Sequence, residues 1–155
     1  MLPPKRRNFL KQSASFALAL LSSFFSTKSA HAAWPAEHFS GDSFSDSLTR
    51  LFNIHSITDS GLIKLSLPLV AENGAVVPIT ISSDLDNIER IFILVEKNPT
   101  PLAAEFELSA AVSVYITARI KMAESCNVVI IAQQGASLLR SQQWVNVVQG
   151  GCGTG

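Results

Sequence analysis

Two cysteines, Cys126 and Cys152, are the strongest candidates for chemistry in this 155-residue chain. Cys152 lies in the C-terminal segment QGGCGTG, residues 149–155, in which four of the seven residues are glycine. Glycine loses more conformational entropy on ordering than any other residue, so we expect a slim and mobile segment. No neighbouring cation lowers the pKa of the Cys152 thiol, which is therefore not an obvious enzyme nucleophile. It is better suited to be a group on which another enzyme acts, presented to that enzyme's active site by a thin, mobile segment.

Three other interpretations fit the tail less well. Cys152-Gly153-Thr154-Gly155 has the length of a prenylation box, but Gly and Thr are not the required aliphatic pair. A structural disulfide between Cys126 and Cys152 would stabilise the protein little, because it would restrain only a tail that has no fold of its own. A surface cysteine without any role is the remaining alternative, although free surface thiols are a liability.

The rest of the sequence offers no catalytic or metal-binding motif. His38 and His55 lack HxH or HxxxH spacing, so no metal site is expected. No G-x-S-x-G segment, Walker loop or dinucleotide-binding turn is present, and no cofactor is expected. The two acids in each of DLD (84–86) and EFE (105–107) are two positions apart, so on a strand both would lie on the same face. The simplest expectation is that this face is exposed to water.

The N-terminus has the pattern of an export signal. Arg6 and Arg7 form a twin-arginine pair, followed by a short apolar run (14–25) and an A-x-A cleavage site (30–32). The run is too short and too polar to span a bilayer comfortably, which argues against a retained membrane anchor. We expect a twin-arginine signal peptide over residues 1–32, and a mature protein in a bacterial periplasm without stable membrane association.

The charge distribution separates this signal from the body of the protein. Residues 1–32 contain five basic residues and no acidic one, whereas the remaining chain contains seven basic and twelve acidic residues, a net charge of −5. An acidic body argues against nucleic-acid binding, which needs clustered Lys and Arg.

Residues 33–148 are predicted to form one β domain with a short N-terminal helix. In the stretch 41–53, apolar residues recur at helical spacing after a Ser or Asp cap. Beyond it the apolar period changes to two, and seven short strands in about 90 residues indicate an all-β, immunoglobulin-like antiparallel β-sandwich. The expected strands are Ile63–Leu69, Val77–Ile81, Ile88–Val95, Phe106–Leu108, Val112–Ile120, Val128–Ala132 and Leu138–Val148. A flexible C-terminal arm, residues 149–155, completes the predicted organisation.

Four separated segments of the chain resemble the SoxY family, the sulfur carrier subunits of periplasmic thiosulfate-oxidising (Sox) systems. They are AENGAVVPI (71–79), ILVEKNPTPLAA (93–104), TARIKMAE (117–124) and the terminal GGCG (150–153). The resemblance covers residues 36–155 and includes the twin-arginine signal.

The resemblance implies that the protein is a carrier and not an enzyme. Cys152 would be the site of covalent sulfur attachment, and Gly150, Gly151 and Gly153 would form the swinging arm. It also implies a heterodimer with a SoxZ subunit. Transient partners would be the SoxXA cytochrome, the SoxB hydrolase and a sulfane dehydrogenase. The family ending is Gly-Gly-Cys-Gly-Gly, so Thr154 is a departure that partner enzymes must accommodate.

Cys126 is a second departure, because the carrier role does not need it. A hairpin around Gly135 would place Cys126 opposite about position 146, at the base of the arm. Four residues beyond Val148 span about 13 Å, so Cys152 could fold back and form a reversible, protective disulfide with Cys126. The simpler interpretation is a small, half-buried turn residue. Two other functions stay open: an immunoglobulin-like binding module, and a thiol oxidoreductase that would need this cysteine pair.

Overall fold

Strands make up most of the described part of the chain. The computed structural model describes residues 35–53, 56–109 and 112–148, which belong to one compact unit. A 3-10 turn, Ala36–Phe39, precedes the helix. Within these ranges the elements are α1 (Phe44–Phe52), β1 (Ile57–Asp59), β2 (Ile63–Ser66), β3 (Val70–Ala71), β4 (Val77–Ser83), β5 (Arg90–Val95), β6 (Leu102–Glu107), β7 (Val114–Ile120), β8 (Cys126–Gln134) and β9 (Ser137–Val147).

The strands form two sheets that pack face to face. The larger sheet has the order β1–β9–β8–β5–β6, with β3 also paired to β9, and the smaller sheet has the order β2–β4–β7. Most neighbouring strands are antiparallel, as in the immunoglobulin-like sandwich that the sequence predicts. The predicted sandwich with a short N-terminal helix is therefore confirmed.

Two hydrophobic cores lie on opposite faces of the larger sheet. Because β5 and β8 contribute to both cores, they are buried on both faces, as the apolar run Ile88–Val95 predicts. The core between the sheets includes Val77, Ile79, Ile81, Ile91, Ile93, Val95, Val128, Ile130 and Val145. The core between the larger sheet and α1 includes Phe52, Phe92, Leu94, Leu102, Val129, Ile131 and Leu138.

Helix α1 covers the outer face of the larger sheet through its apolar side. Ser43 caps its N-terminus, with Oγ accepting a hydrogen bond of 3.1 Å from the N–H of Asp46. At the other end the ring of Phe52 packs edge-on against Phe92, with centroids 4.9 Å apart. Asn53 then ends the helix in the left-handed conformation, at φ 44°.

The segment between the helix and β4 departs from prediction. The single strand expected over Ile63–Leu69 is split, because the chain pairs β2 with the smaller sheet and then returns to pair β3 with β9. Strand β1, which the sequence pattern did not indicate, also pairs with β9. Since this segment runs in the same direction as β9, both of these pairs are parallel and not antiparallel.

Pro78 lies in β4, the middle strand of the smaller sheet, where its missing N–H could have interrupted a ladder. Strand β2 pairs with β4 only from Thr80 to Ser83, so it ends before it reaches the proline. Pro78 therefore has a neighbour on one side only, opposite Arg119, and its missing N–H breaks no ladder with β2.

Candidate functional site

The C-terminal end of β9 is the place from which the predicted arm extends. The described residues end at Val148, so Cys152 and its flanking Gly150, Gly151 and Gly153 lie outside them, as do Arg6 and Arg7 of the predicted signal. The structure describes the surroundings of the attachment point. We call this region the arm base; it comprises residues 145–148, 71–76, 96–101 and 121–125.

Hydrogen bonds hold the last residues of β9 from two sides. On one side, the N–H of Val148 donates to the carbonyl oxygen of Ala71 (2.9 Å) and that of Asn146 to Leu69 (2.9 Å). On the other, the N–H of Val147 donates to Ser125 Oγ (2.8 Å). The backbone is therefore fixed up to Val148, the last described residue before the arm.

Asn98 connects two loops of the arm base. Its side-chain Nδ2 donates to the carbonyl oxygen of Lys121 (2.8 Å), and its Oδ1 accepts from the N–H of Ala123 (2.9 Å). The loop between β5 and β6 is thereby fastened to the loop between β7 and β8. Lys97 and Glu124 add an exposed ion pair of 3.5 Å between the same loops, which stabilises little in water.

Gly74 lets a third loop approach these two closely. Its carbonyl oxygen accepts a hydrogen bond of 2.7 Å from the N–H of Met122. A Cβ atom at position 74 would lie 2.4 Å from the Met122 carbonyl oxygen and 2.9 Å from Val147 Cγ1. Glycine is required here because the backbone of Met122 and the end of β9 leave no room for a side chain.

The three loops enclose a concave, mostly apolar depression beside the end of β9. Its volume is about 510 Å³. It is lined by Gly74, Ala75, Asn98, Pro99, Thr100, Lys121, Met122 and Ala123. All of these residues fall in the segments 71–79, 93–104 and 117–124, on which the family resemblance rests, so the fold gathers three distant sequence segments around the arm base.

Cys126 is the first residue of β8, where it pairs with Val145, one residue from the position expected from the hairpin. It is a fully buried member of the core between the sheets, and not the half-buried turn residue of the simpler interpretation. Burial raises the pKa of its thiol, while backbone hydrogen bonds from Lys97 and Glu96 oppose that rise. Because both burial and pKa disfavour the reactive thiolate, a disulfide with Cys152 would require the start of β8 to open.

The remaining candidates from the sequence lie elsewhere. His38 Nδ1 lies 2.8 Å from Glu105 Oε2, and Arg90 Nη1 lies 3.4 Å from the other carboxylate oxygen. Glu105 is only 14% exposed in its side chain, so it is an ion-paired residue and not one that faces water. Asp84 pairs with Lys64 at the surface (3.0 Å), and His55 is outside the described residues.

The part of the chain that the structure describes offers neither a metal-binding cluster nor a membrane-spanning helix. There, no group of three or more His, Cys, Asp or Glu side chains is placed to hold a metal ion. Nor does any helix in the described ranges have the length and apolarity needed to cross a membrane.

Sequence reasoning missed the residues that fix the arm base, above all Ser125 and Asn98. The Asn-Pro pair at 98–99 marks a turn, but a turn signal does not reveal that the Asn98 side chain bonds a loop more than 20 residues away. Ser125 gives even less indication of its role, because serine is common in loops that precede a strand.

Comparison with known proteins identifies relatives of most of the described domain. The family model described as "Sulfur oxidation protein SoxY" matches residues 48–152. The solved structure of the sulfur carrier protein SoxY from Chlorobium limicola f thiosulfatophilum is similar to this chain, with a TM-score of 0.62 and 30% sequence identity. The similarity covers 67% of this chain and 94% of that chain. No curated protein matches the sequence.

Proposed function

The chain belongs to the SoxY family of sulfur oxidation proteins, and we propose that it carries sulfur intermediates covalently on Cys152. In this role the protein catalyses no reaction itself. It holds the substrate on a thiol while partner enzymes of the Sox system form and break the bonds to sulfur.

The extent of the family match carries this proposal. The match runs from residue 48 to residue 152, so Cys152 falls within the matched range, which supports the proposal. Cys152 is also four residues beyond Val148, where the hydrogen-bonded frame of β9 ends.

The arm base limits where the thiol can go. Because four extended residues span about 13 Å, Cys152 reaches a region of that radius around Val148. Gly150 and Gly151 would give this linker its freedom of rotation and its narrow cross-section. Such a linker lets a bulky domain stay outside a partner enzyme while the thiol enters its active site.

The proposed chemistry begins with an oxidation. The Cys152 thiol and thiosulfate form an S–S bond with loss of one proton and two electrons, which a haem protein of the SoxXA type would accept. In a second step, a water molecule attacks the terminal sulfonate group, so that sulfate leaves and a persulfide remains on Cys152. A hydrolase of the SoxB type would perform this step, and a sulfane dehydrogenase would oxidise the remaining sulfur.

Two further parts of the proposal concern export and assembly. The twin-arginine pair, Arg6 and Arg7, would direct the folded chain to the periplasm, where thiosulfate oxidation takes place. Since the twin-arginine route transports folded proteins, a SoxZ subunit without its own signal could leave the cytoplasm as a bound partner. The carrier would then act as a heterodimer.

The test is the intact mass of the exported protein from cells supplied with thiosulfate, measured before and after reduction. We expect a reducible sulfur-containing adduct that maps to Cys152. The Cys152→Ser variant should lack it, and the matched Cys126→Ala variant should retain it. An unmodified Cys152, together with thiosulfate use that is indifferent to Cys152→Ser, would leave the immunoglobulin-like binding module as the better explanation.

Export is tested separately. Changing Arg6 and Arg7 together to lysine should keep the chain in the cytoplasm with its signal uncleaved, whereas Lys11→Arg should leave export intact. If the signal peptide is cleaved at the same position in both variants, the twin-arginine route is contradicted. The proposed carrier role is not affected by that outcome.

A further inference from the structure

The turn between β3 and β4 contains the only Asn-Gly pair of the chain, Asn73-Gly74. An asparagine loses its side-chain amide when the backbone nitrogen of the next residue attacks the side-chain carbonyl carbon. A side chain on that next residue hinders the attack, and proline has no N–H with which to make it. Glycine leaves the nitrogen unhindered. Each of the other described asparagines is followed by Ile, Val or Pro.

The surroundings of the turn leave both reacting groups accessible. Asn73 and Ala75 are exposed, and Gly74 is half-buried, so water reaches this peptide bond. The N–H of Gly74 donates to no acceptor within the described ranges, which leaves its nitrogen available as a nucleophile.

A hydrogen bond of the turn also favours the attack. The N–H of Ala75 donates to Asn73 Oδ1 at 2.9 Å. Negative charge develops on this oxygen as the nitrogen of Gly74 adds to the carbonyl carbon, and a donor already in place stabilises that charge. The bond of 3.2 Å from the N–H of Val76 to the backbone carbonyl of Asn73 closes the turn and holds Ala75 in this position.

The reaction is a ring closure followed by hydrolysis, and no atom changes its oxidation state. The nitrogen of Gly74 loses its proton and forms a bond to Asn73 Cγ, while the bond from Cγ to Nδ2 breaks and ammonia leaves with that proton. Water then opens the cyclic imide at either of its carbonyls. Opening at Cγ gives aspartate. Opening at the backbone carbonyl gives isoaspartate, whose main chain runs through Cβ and Cγ.

Isoaspartate at position 73 does not fit the arm base. It lengthens the main chain by one methylene directly before Gly74, whose carbonyl oxygen accepts a hydrogen bond of 2.7 Å from the N–H of Met122. This contact has no spare room, since a Cβ atom at Gly74 would lie 2.4 Å from the Met122 carbonyl oxygen. The loop also follows β3, where the carbonyl of Ala71 accepts from the N–H of Val148. A longer loop therefore disturbs both attachments.

We propose that Asn73 is a site of spontaneous deamidation in the folded protein, and that isoaspartate there detaches the loop 72–76 from Met122 and loosens the end of β9. The reaction is intramolecular, so it needs water and no enzyme. Each molecule would thus acquire a less ordered arm base as it ages. This modification goes beyond the proposed carrier function and does not depend on it.

The first test follows the purified chain during long incubation at mildly alkaline pH. Peptide mapping should find isoaspartate and aspartate at position 73, with isoaspartate as the main product. Deamidation at Asn73 should be at least about tenfold faster than at any other described asparagine. Labelling by an isoaspartate-specific methyltransferase gives an independent readout. Asn73→Gln, which would have to close a larger ring, should abolish the label, whereas Asn146→Gln, at an exposed position, should retain it.

The second test measures the effect on the arm base. Deamidated molecules carry an additional negative charge, so ion exchange separates them from the unmodified chain. In the isoaspartate fraction the amides of Met122 and Val148 should exchange hydrogen faster. Freshly prepared Asn73→Asp is the matched control, because it has the same charge without the longer main chain, and its amides should exchange at the original rate.

Two results would overturn the proposal. If isoaspartate forms at position 73 only in urea and not in the folded chain, the fold protects the turn and Asn73 is not a modification site. If Met122 and Val148 exchange at the same rate in the isoaspartate fraction as in the unmodified chain, the modification does not loosen the arm base.

Discussion

Ser125 Oγ accepts a hydrogen bond of 2.8 Å from the N–H of Val147. Ser125 ends the loop that follows β7, and Val147 is the last residue of β9. The bond thus joins the strand that leads into the arm to the loop that also contacts Gly74 and Asn98. The attachment point of the proposed sulfur carrier is positioned by a loop that is distant in sequence.

Removing this acceptor should loosen the end of β9. In Ser125→Ala the N–H of Val147 loses its partner in a half-buried position, so we expect a loss of about 1 kcal/mol in the free energy of unfolding. Urea denaturation measures this loss, and amide exchange at Val147 should accelerate. Ser66→Ala, at an exposed position, should change the stability by less than about 0.5 kcal/mol. Equal effects of the two variants would contradict the role of Ser125.

A methyl group at Gly74 should disturb the arm base more strongly. The Cβ atom of Gly74→Ala would lie 2.4 Å from the Met122 carbonyl oxygen, which belongs to the backbone and cannot rotate away. We expect a destabilisation of about 2 kcal/mol, as for other overpacking substitutions, measured by chemical denaturation. Gly61→Ala is the matched control, since no atom lies within 4 Å of its Cβ position. It should be neutral or stabilising by about 0.5 kcal/mol, through a reduced entropy of the unfolded chain.

Local signals in the sequence predicted those elements that are determined by neighbouring residues. The four-residue spacing of Phe44 and Leu48 after a Ser43 cap predicted α1. The β8–β9 hairpin was predicted from the turn at Gln134-Gly135-Ala136, and Gly135 indeed has a positive φ of 57°.

The strand pairings and side-chain bonds that were not predicted depend on contacts between residues that are distant in the sequence. The parallel pairing of β1 and β3 with β9 joins residues more than 70 positions apart, and no local pattern distinguishes it from a continuation of β2. The same holds for the bonds of Asn98 and Ser125 at the arm base. Cys152 is the reverse case: its glycine-rich surroundings and the family resemblance predict its role, whereas the described residues end at Val148.

Asp59 and Arg140 form a two-pronged ion pair that links β1 to β9. Arg140 donates from Nε to Asp59 Oδ1 (2.6 Å) and from Nη2 to Oδ2 (3.1 Å). The hydrogen bond from Arg140 holds the pKa of the Asp59 carboxyl below its usual 3.8. We expect an NMR titration to give a value below 3.8 for Asp59, and a return toward 3.8 in Arg140→Gln.

The lowered pKa of Asp59 makes the free energy of unfolding depend on pH. Because the folded-state pKa of Asp59 is the lower one, its contribution to stability is present above about pH 4 and is lost as the pH falls through the folded-state value. Arg140→Gln should therefore flatten the acid limb of the stability curve slightly. An Asp59 pKa that is unchanged by Arg140→Gln would show that the ion pair is not formed in solution.

Cys126 should make stability depend on pH in the opposite direction. Burial raises the pKa of its thiol above the usual 9.0. In the window between 9.0 and the raised value, the folded protein retains a proton that the unfolded chain has lost, so the free energy of unfolding decreases as the pH rises. Below pH 9.0 the contribution is fully present. We expect the stability curve of the wild-type chain to decline above pH 9.0 and that of Cys126→Ala to decline less.

Alkylation at pH 8 provides an independent check on Cys126 and compares the two cysteines within one molecule. Iodoacetamide should modify Cys152 at least about tenfold faster than Cys126, because the thiolate is the reactive form and Cys126 is buried with a raised pKa. Peptide mapping after short exposure measures both rates. In urea the two rates should converge, since unfolding exposes Cys126. Comparable rates in the native protein would mean that the start of β8 opens readily, and would favour the reversible Cys126–Cys152 disulfide.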